Sequence, residues 1–369
     1  MTQSRLGTRV ALDGTQLALG YGAARVLYHV VQAFHGGSDV LEPILLTTKA
    51  GSKNVEDSPC ETIIVPDMPS TLWEQLGLPF YCEKFHVGAV YAHRACGPTW
   101  GPPTVLHFLD DPRLAASRGA TATTSRERLK RVYQRMTVSR ALHHARLVIV
   151  STNVVAENLH DRYGAKLPIA VVPLGVDTDR FYPDNIEPQE DTVFHLGSWE
   201  PRDQTPTVVA AYARSLMLAP DLPDLVIGGR LGEQLDPARK AAEEAGIAHR
   251  VRFVGYLSDE DLRRSFAHAA VCVQPSRYEA FGLVSLEALA CGAPLVVVPE
   301  PAVEEVLGAA ALVAQNSEPE SIARAIAELW QDRNKRSELR ARGPQRAAEF
   351  SWTRTGETIK HLLEEVATD

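Results

Sequence analysis

Cysteine is scarce in this chain of 369 residues. There are five, Cys60, Cys82, Cys96, Cys272 and Cys291, an odd number with no C-x-x-C among them. That excludes a disulfide framework or a cysteine-built zinc module and fits free thiols in a reducing compartment. No run approaches the roughly 20 apolar residues that a membrane-spanning helix needs. Residues 1–20 also lack the charged-then-apolar order of a signal peptide, so a cytoplasmic protein is the expectation. No G-x-G-x-x-G follows the first apolar strand, which disfavours a redox dinucleotide enzyme. No sequence motif pairs a nucleophile with its base. Positive charge is short too: 38 Lys and Arg stand against 46 Asp and Glu. The deficit is uneven, 19 against 17 in residues 1–185 and 19 against 29 in residues 186–369. Nucleic acid does not suit such a chain as a partner.

What is present is ordinary for a globular protein, with 45% hydrophobic and 23% charged residues. The length predicts two domains, each able to bury a core. Strand-like runs alternate with helical ones: "TRVALDG", "PILLTT", "VGAVYAH", "PTVLHFL" and "ARLVIVS" in the first half, then "TVFHLGS", "DLVIGG", "RVRFVG", "VCVQPS" and "PLVVV". This pattern predicts an α/β protein with two doubly wound parallel sheets, Rossmann-like, facing each other across a cleft. Pro, Gly and Asp crowd residues 171–191, so the expected domains are 1–175 and 186–350 with a linker at 176–185. Ser151 is placed to cap the helix that follows it. The segment "SRERLKRVYQRMTVSR" (125–140) reads as an amphipathic basic helix, either a solvated face or a weak peripheral contact with an anionic membrane.

The most informative stretch is "YEAFGLVSLEALACGAPLVVV" (278–298). "VCVQPS" is a buried strand, so "RYEAFG" is the loop at its C-terminal end. A helix begins near Gly282 and stops at Gly292, which Pro294 keeps from continuing. Its N-terminus offers unpaired amides that suit a diphosphate. Glu287, one and a half turns in, suits a ribose diol, and Glu279 suits the hydroxyls of a second ring. A nucleotide-sugar has that shape. Taken alone, the same residues also fit a solvated loop glutamate and a helix glutamate drawn to the positive end.

The phrase "PSRYEAFGLVSLEALACGAPLVV" resembles the E-x7-E signature of GT4-type retaining glycosyltransferases, which have the GT-B fold. "VVPLGVDTDRFYP" is similar to the interdomain segment of that family. "VRFVGYLSDEDLRRSFAHAAVCVQPS" resembles the segment leading to its nucleotide pocket. "FSWTRTGETIKHLLEE" is similar to its last helix, which returns to the N-terminal domain (about 351–369 here). The resemblance implies that Glu287 holds the nucleotide ribose and Glu279 the transferred sugar. It also implies that the backbone of Phe281, Gly282 and Leu283 meets sugar and phosphate, and that Tyr256 and Leu257 line the base pocket. Retention would proceed at the front face, with the leaving diphosphate taking the acceptor's proton. The glycine loop "LGYGAAR" makes Gly20, Tyr21 and Gly22 candidates for acceptor or phosphate contact.

Two departures stand out. The family commonly carries Arg and Lys after the first strand of the C-terminal domain, where this chain reads "HLGSWEPRDQTPTVV". Gly197 is followed by Ser198, and Asp203 or Gln204 stands where Lys is expected; Arg202 and Arg230 are the candidate replacements. The family also has His-Asp after a strand of the N-terminal domain, where "TVLHFLDDP" places Leu109 and Asp110. His107, one step back on the same face, is the candidate active-site histidine, and His93 a candidate acceptor contact. No metal and no cofactor are expected. The expected activity is transfer of a sugar from a UDP- or GDP-linked donor to a hydroxyl of a small acceptor. Alternatives are a pseudo-glycosyltransferase, another GT-B enzyme such as a phosphorylase or epimerase, and a non-catalytic sugar-nucleotide binder.

Overall fold

The computed structural model describes residues 7–19, 22–94, 96–108, 125–184 and 188–368. They form two compact units. The first takes in residues up to Gly175 together with Trp352–Asp369, and the second Val176–Ser351.

In the first unit seven strands form one parallel sheet: β1 (Thr8–Asp13), β2 (Leu41–Thr47), β3 (Glu61–Ile64), β4 (Ala89–Arg94), β5 (Thr104–Phe108), β6 (Leu147–Val150) and β7 (Ile169–Val171). Their order is β3-β2-β1-β4-β5-β6-β7. The strand order reverses between β1 and β4, which opens a crevice at their C-terminal ends. Val10, Ala11 and Leu12 of β1 are all fully buried, as the strand's unbroken apolar run requires when both sheet faces are covered. The C-terminal helix Trp352–Thr368 belongs to this unit. It lies on helix Gly22–Gln32, with Trp352 stacked on His29 at 4.5 Å. Ile359 and Leu363 enter the core beside Val10 and Leu27, each burial contributing about 1.5–3 kcal/mol.

The second unit repeats the plan with six parallel strands: β8 (Thr192–Leu196), β9 (Asp224–Gly228), β10 (Val251–Gly255), β11 (Val271–Gln274), β12 (Leu295–Val297) and β13 (Leu312–Val313). Their order is β10-β9-β8-β11-β12-β13, so the reversal lies between β8 and β11.

The sequence reading differs from the structure at several points. Thr152, not Ser151, caps helix Asn153–Tyr163, its hydroxyl accepting from the Val155 amide at 3.3 Å. Strands β3, β7 and β13 are short, lie at sheet edges and are not fully buried, so their brief apolar stretches do not stand out in the sequence. Helix Arg333–Ala347 forms although Pro344 lies inside it. The basic segment is helical, within Ser125–His144, but its apolar residues do not all turn inward. Val138, Ala141 and Leu142 are buried, whereas Leu129, Val132 and Met136 are exposed.

Candidate active site

The reversal point of the second unit gathers most of the expected donor residues. Strand β8 ends at Leu196 and runs into Gly197 and Ser198; β11 ends at Gln274 and runs into the loop that carries Glu279. The two loops are tied by the Arg277 amide, which donates to the Arg202 carbonyl at 3.2 Å. A glycine holds the neighbouring loop close. Gly229 sits at φ +103°, and a Cβ there would lie 1.9 Å from the Gly197 carbonyl oxygen. Gly229→Ala is therefore expected to cost about 2–4 kcal/mol, read as a lowered urea midpoint. A midpoint equal to the wild type would contradict this packing.

Helix Leu283–Ala290 starts from Gly282 in the left-handed region at φ +84°. The first helical bond runs from the Leu286 amide to the Gly282 carbonyl, which leaves the amides of Leu283, Val284 and Ser285 without intrahelical partners. Gly282 also packs close to the next helix, where a Cβ would meet Val303 at 3.2 Å. Phe281 is buried edge-on to Phe350 and fixes the loop as it enters the helix. Glu287 is 5% exposed on this helix, while Glu279 keeps 22% of its side chain exposed in the loop. Leu283 is half-buried at the helix tip.

The two candidate cations differ in setting. The Arg202 guanidinium lies 2.8 Å from Glu200 and 4.0 Å from Glu279, so two carboxylates draw on its charge. Arg230 is exposed and lies over the Tyr256 ring at 4.7 Å, a cation–π contact. Leu257, after β10, packs where a side chain on Gly228 would stand. Tyr256, Leu257 and Arg230 thus share one corner of the unit. Ser198 turns its hydroxyl to the Glu200 amide at 3.1 Å. Beside it, burial raises the Asp203 carboxyl above its ordinary range, with the Ser198 hydroxyl and Arg202 opposing.

In the first unit the reversal point holds a buried ion cluster that the sequence reading passed over. Arg94, last in β4, donates to Asp13, last in β1, at 2.5 Å and to Glu74 at 3.2 Å. Trp73 Nε1 also donates to Asp13, at 3.1 Å. A charged residue closing an apolar strand, as in "VALD" and "VYAHR", was the available signal. Burial alone would raise Asp13, but Arg94 and Thr15 outweigh it and hold the carboxyl below its ordinary range. One guanidinium cannot satisfy two carboxylates equally. Burial pushes Glu74 up to about 7, with Arg94 pulling the other way.

Between the unfolded-chain value near 4.5 and about 7, the folded protein keeps a proton on Glu74 that the unfolded chain has released. Stability therefore falls as pH rises through that window, by up to a few kcal/mol. Glu74→Gln is expected to flatten the fall. Urea midpoints of both proteins at pH 5 and pH 7.5 check it, and equal shifts in the two would contradict it.

His107 and His93 point into this unit's interior, each 1% exposed. The His107 ring bonds the Tyr91 hydroxyl at 2.8 Å and meets the His93 ring edge-on at 4.7 Å. Burial lowers His107 to about 3. Burial, then the neighbouring His107, also hold His93 well below its usual range. Burial thus favours the neutral form of both rings. Gly22 opens helix Gly22–Gln32 and is exposed. Gly20, Tyr21 and Asp110 lie outside the described residues. Among the described residues no three His, Cys, Asp or Glu side chains cluster as metal ligands, and no helix is long and apolar enough to cross a membrane.

Comparison with known proteins agrees with this architecture. Residues 22–180 match the family described as Glycosyltransferase Family 4, and residues 178–346 that described as Glycosyl transferases group 1. The chain is 35% identical over 158 residues to the O-antigen chain mannosyltransferase B of Escherichia coli, covering 43% of this chain and 42% of the relative. It is 30% identical over 257 residues to a D-inositol 3-phosphate glycosyltransferase of Corynebacterium urealyticum, covering 64% of this chain and 60% of the relative. The matched part thus spans less than two thirds of either relative. A sucrose-phosphate synthase from Thermosynechococcus elongatus shares the fold at a TM-score of 0.78 and 19% identity, covering 98% of this chain and 99% of that one. Anabaena HepE in complex with UDP-glucose does so at 0.74 and 16%, covering 97% and 99%. Two adjoining family matches and two parallel sheets of the same plan lead to one assignment: the chain has the GT-B fold, and its two halves carry GT4-type glycosyltransferase family matches.

Proposed function

We propose that the protein transfers a sugar, with retention, from a UDP- or GDP-linked donor to a hydroxyl of a small acceptor. The observation that carries this reading is the pair of glutamates on either side of an amide-bearing helix tip at the reversal point of the second unit. Glu287 binds the ribose diol as a two-oxygen acceptor, and the amides of Leu283 and Val284 bind the diphosphate. Glu279 holds hydroxyls of the transferred sugar. As the bond from the anomeric carbon to the phosphate oxygen breaks, the acceptor oxygen bonds that carbon from the same face. Its proton passes to the departing diphosphate, so no protein nucleophile is used. Arg230, Arg202 and the helix amides offset the charge that develops, and the reading needs no metal. His107 and His93 act by position. The relatives' names, a mannosyltransferase and an inositol-phosphate glycosyltransferase, support sugar transfer to a hydroxyl. The UDP-glucose complex of a protein with this fold supports the donor class.

A non-catalytic sugar-nucleotide binder is the second reading, favoured by the two carboxylates that draw on Arg202. The purified protein, incubated with UDP-glucose, GDP-mannose and related donors, separates the two. Slow donor hydrolysis that releases the α-anomer from an α-linked donor is expected. Binding without turnover of any donor would favour the second reading, and a β-product would contradict retention. Glu287→Ala is expected to weaken UDP or GDP binding by about 30- to 100-fold in calorimetry, the loss of charge-assisted bonds to a diol. Unchanged affinity would remove Glu287 from the nucleotide site.

A further inference from the structure

The second sheet splits at its reversal point, and two buried polar side chains bridge the split. Strand β8 pairs with β9 as far as Leu196, opposite Gly228, and β11 with β12 as far as Gln274, opposite Val297. Between β8 and β11 the ladder holds only Val193 against Val271 and Phe194 against Cys272. Beyond that point side chains take over. His195 and Gln274, 0% and 5% exposed, break the apolar runs of β8 and β11. The His195 ring places Nδ1 2.8 Å from the Val273 carbonyl oxygen and Nε2 3.1 Å from the Thr205 hydroxyl. A carbonyl only accepts, so Nδ1 carries a proton. Burial lowers His195 to about 4, with the Val273 bond opposing, which favours the neutral ring and leaves Nε2 to accept from Thr205. In the orientation that satisfies both partners, the Gln274 amide donates to the Leu196 carbonyl at 3.2 Å and accepts from the Leu196 amide at 3.0 Å.

Each of these bonds lands at the root of a donor-site loop. Leu196 runs into Gly197 and Ser198, while Val273 and Gln274 run into the loop that carries Glu279. Thr205 opens helix Thr205–Leu218, and Gly197 leaves room for its hydroxyl, since a Cβ there would lie 2.5 Å from Oγ1. A ladder continued to the strand ends would hold the two backbones about 4.8 Å apart. A side chain reaching from one backbone to the other sets a wider gap, and that gap is the floor of the crevice.

We propose that His195 and Gln274 are positioning residues that set this gap, and with it the distance between the Arg202 loop and the loop that carries Glu279. Their role rests on the reading of the second unit as the donor site. Two substitutions at one position test it. His195→Leu and His195→Asn are close in size, but only asparagine can donate to the Val273 carbonyl. A packing role favours leucine, and a polar strut favours asparagine. His195→Leu is expected to lower kcat for donor hydrolysis about thirtyfold while UDP or GDP affinity stays within about fivefold of wild type. Nucleotide contacts on the β11 side survive, whereas alignment with the cations across the gap is lost. His195→Asn is expected to keep kcat within about threefold of wild type. Gln274→Met keeps the side chain's length, is expected to behave as His195→Leu does, and carries the test should that variant not fold. In the ligand-free protein, hydrogen exchange at residues 197–204 and 276–282 is expected to be about tenfold faster in His195→Leu than in His195→Asn. Turnover by His195→Leu equal to or above that of His195→Asn would overturn the strut, and so would equal exchange in the two. Wild type that binds neither UDP nor GDP would instead overturn the donor reading, and the strut's role with it.

Discussion

Glu279→Gln is expected to lower kcat about a hundredfold while leaving the donor KM within about threefold. Glutamine keeps the size of the side chain but removes the charge that accepts hydrogen bonds from the sugar as its ring gains positive character. Interactions that strengthen only on the way to the transition state appear in kcat rather than in KM. Removing one pre-positioned group of this kind typically costs about 2.7–4 kcal/mol. The substitution also removes one of the carboxylates that draw on Arg202, which lies 4.0 Å away, and this offsets part of the loss. Steady-state kinetics with a donor identified by the hydrolysis screen checks this. A raised KM at unchanged kcat would mean that Glu279 binds the ground state and transition state alike.

Arg230→Met is expected to lower kcat/KM about a hundredfold, and Arg202→Met only about tenfold. The two guanidiniums differ in how much charge they have left for a departing diphosphate. Arg202 shares its charge with Glu200 at 2.8 Å and with Glu279. Among the described residues Arg230 forms no ion pair, and it lies against the Tyr256 ring, which leaves its charge available to a ligand. Gly229, packed on Gly197, brings the start of its loop against the end of the β8 loop. Comparing kcat/KM for the two variants on one donor decides the point. A larger loss at Arg202 would reverse the assignment.

The donor-side loops were readable because their punctuation is local. Gly282 and Gly292 both take positive φ where the sequence placed a helix start and stop. The alternation of strands and helices likewise follows from short apolar runs between turns. What could not be read are pairings at long range. Asp13 and Arg94 meet across 81 residues, and neither residue's neighbours announce the other. Strand β3 is four residues long and leaves most of its side chains exposed, so its brief apolar stretch does not mark it as a buried strand. Pro344 hid a helix because a proline inside a helical pattern ordinarily ends it. In the basic segment the spacing was helical, but spacing alone does not say which face a neighbouring element covers. His107 shows the same limit. Its position on a strand was legible, whereas its bond to Tyr91 and its burial needed β4 beside β5.

The central claim is that an activated sugar is held between an amide-rich helix tip and two flanking carboxylates in the second unit. A crystal structure with UDP or GDP bound tests it most directly. The account predicts ribose hydroxyls on the Glu287 carboxylate and phosphate oxygens on the amides that follow Gly282. A nucleotide bound elsewhere, or one whose ribose makes no contact with Glu287, would contradict it.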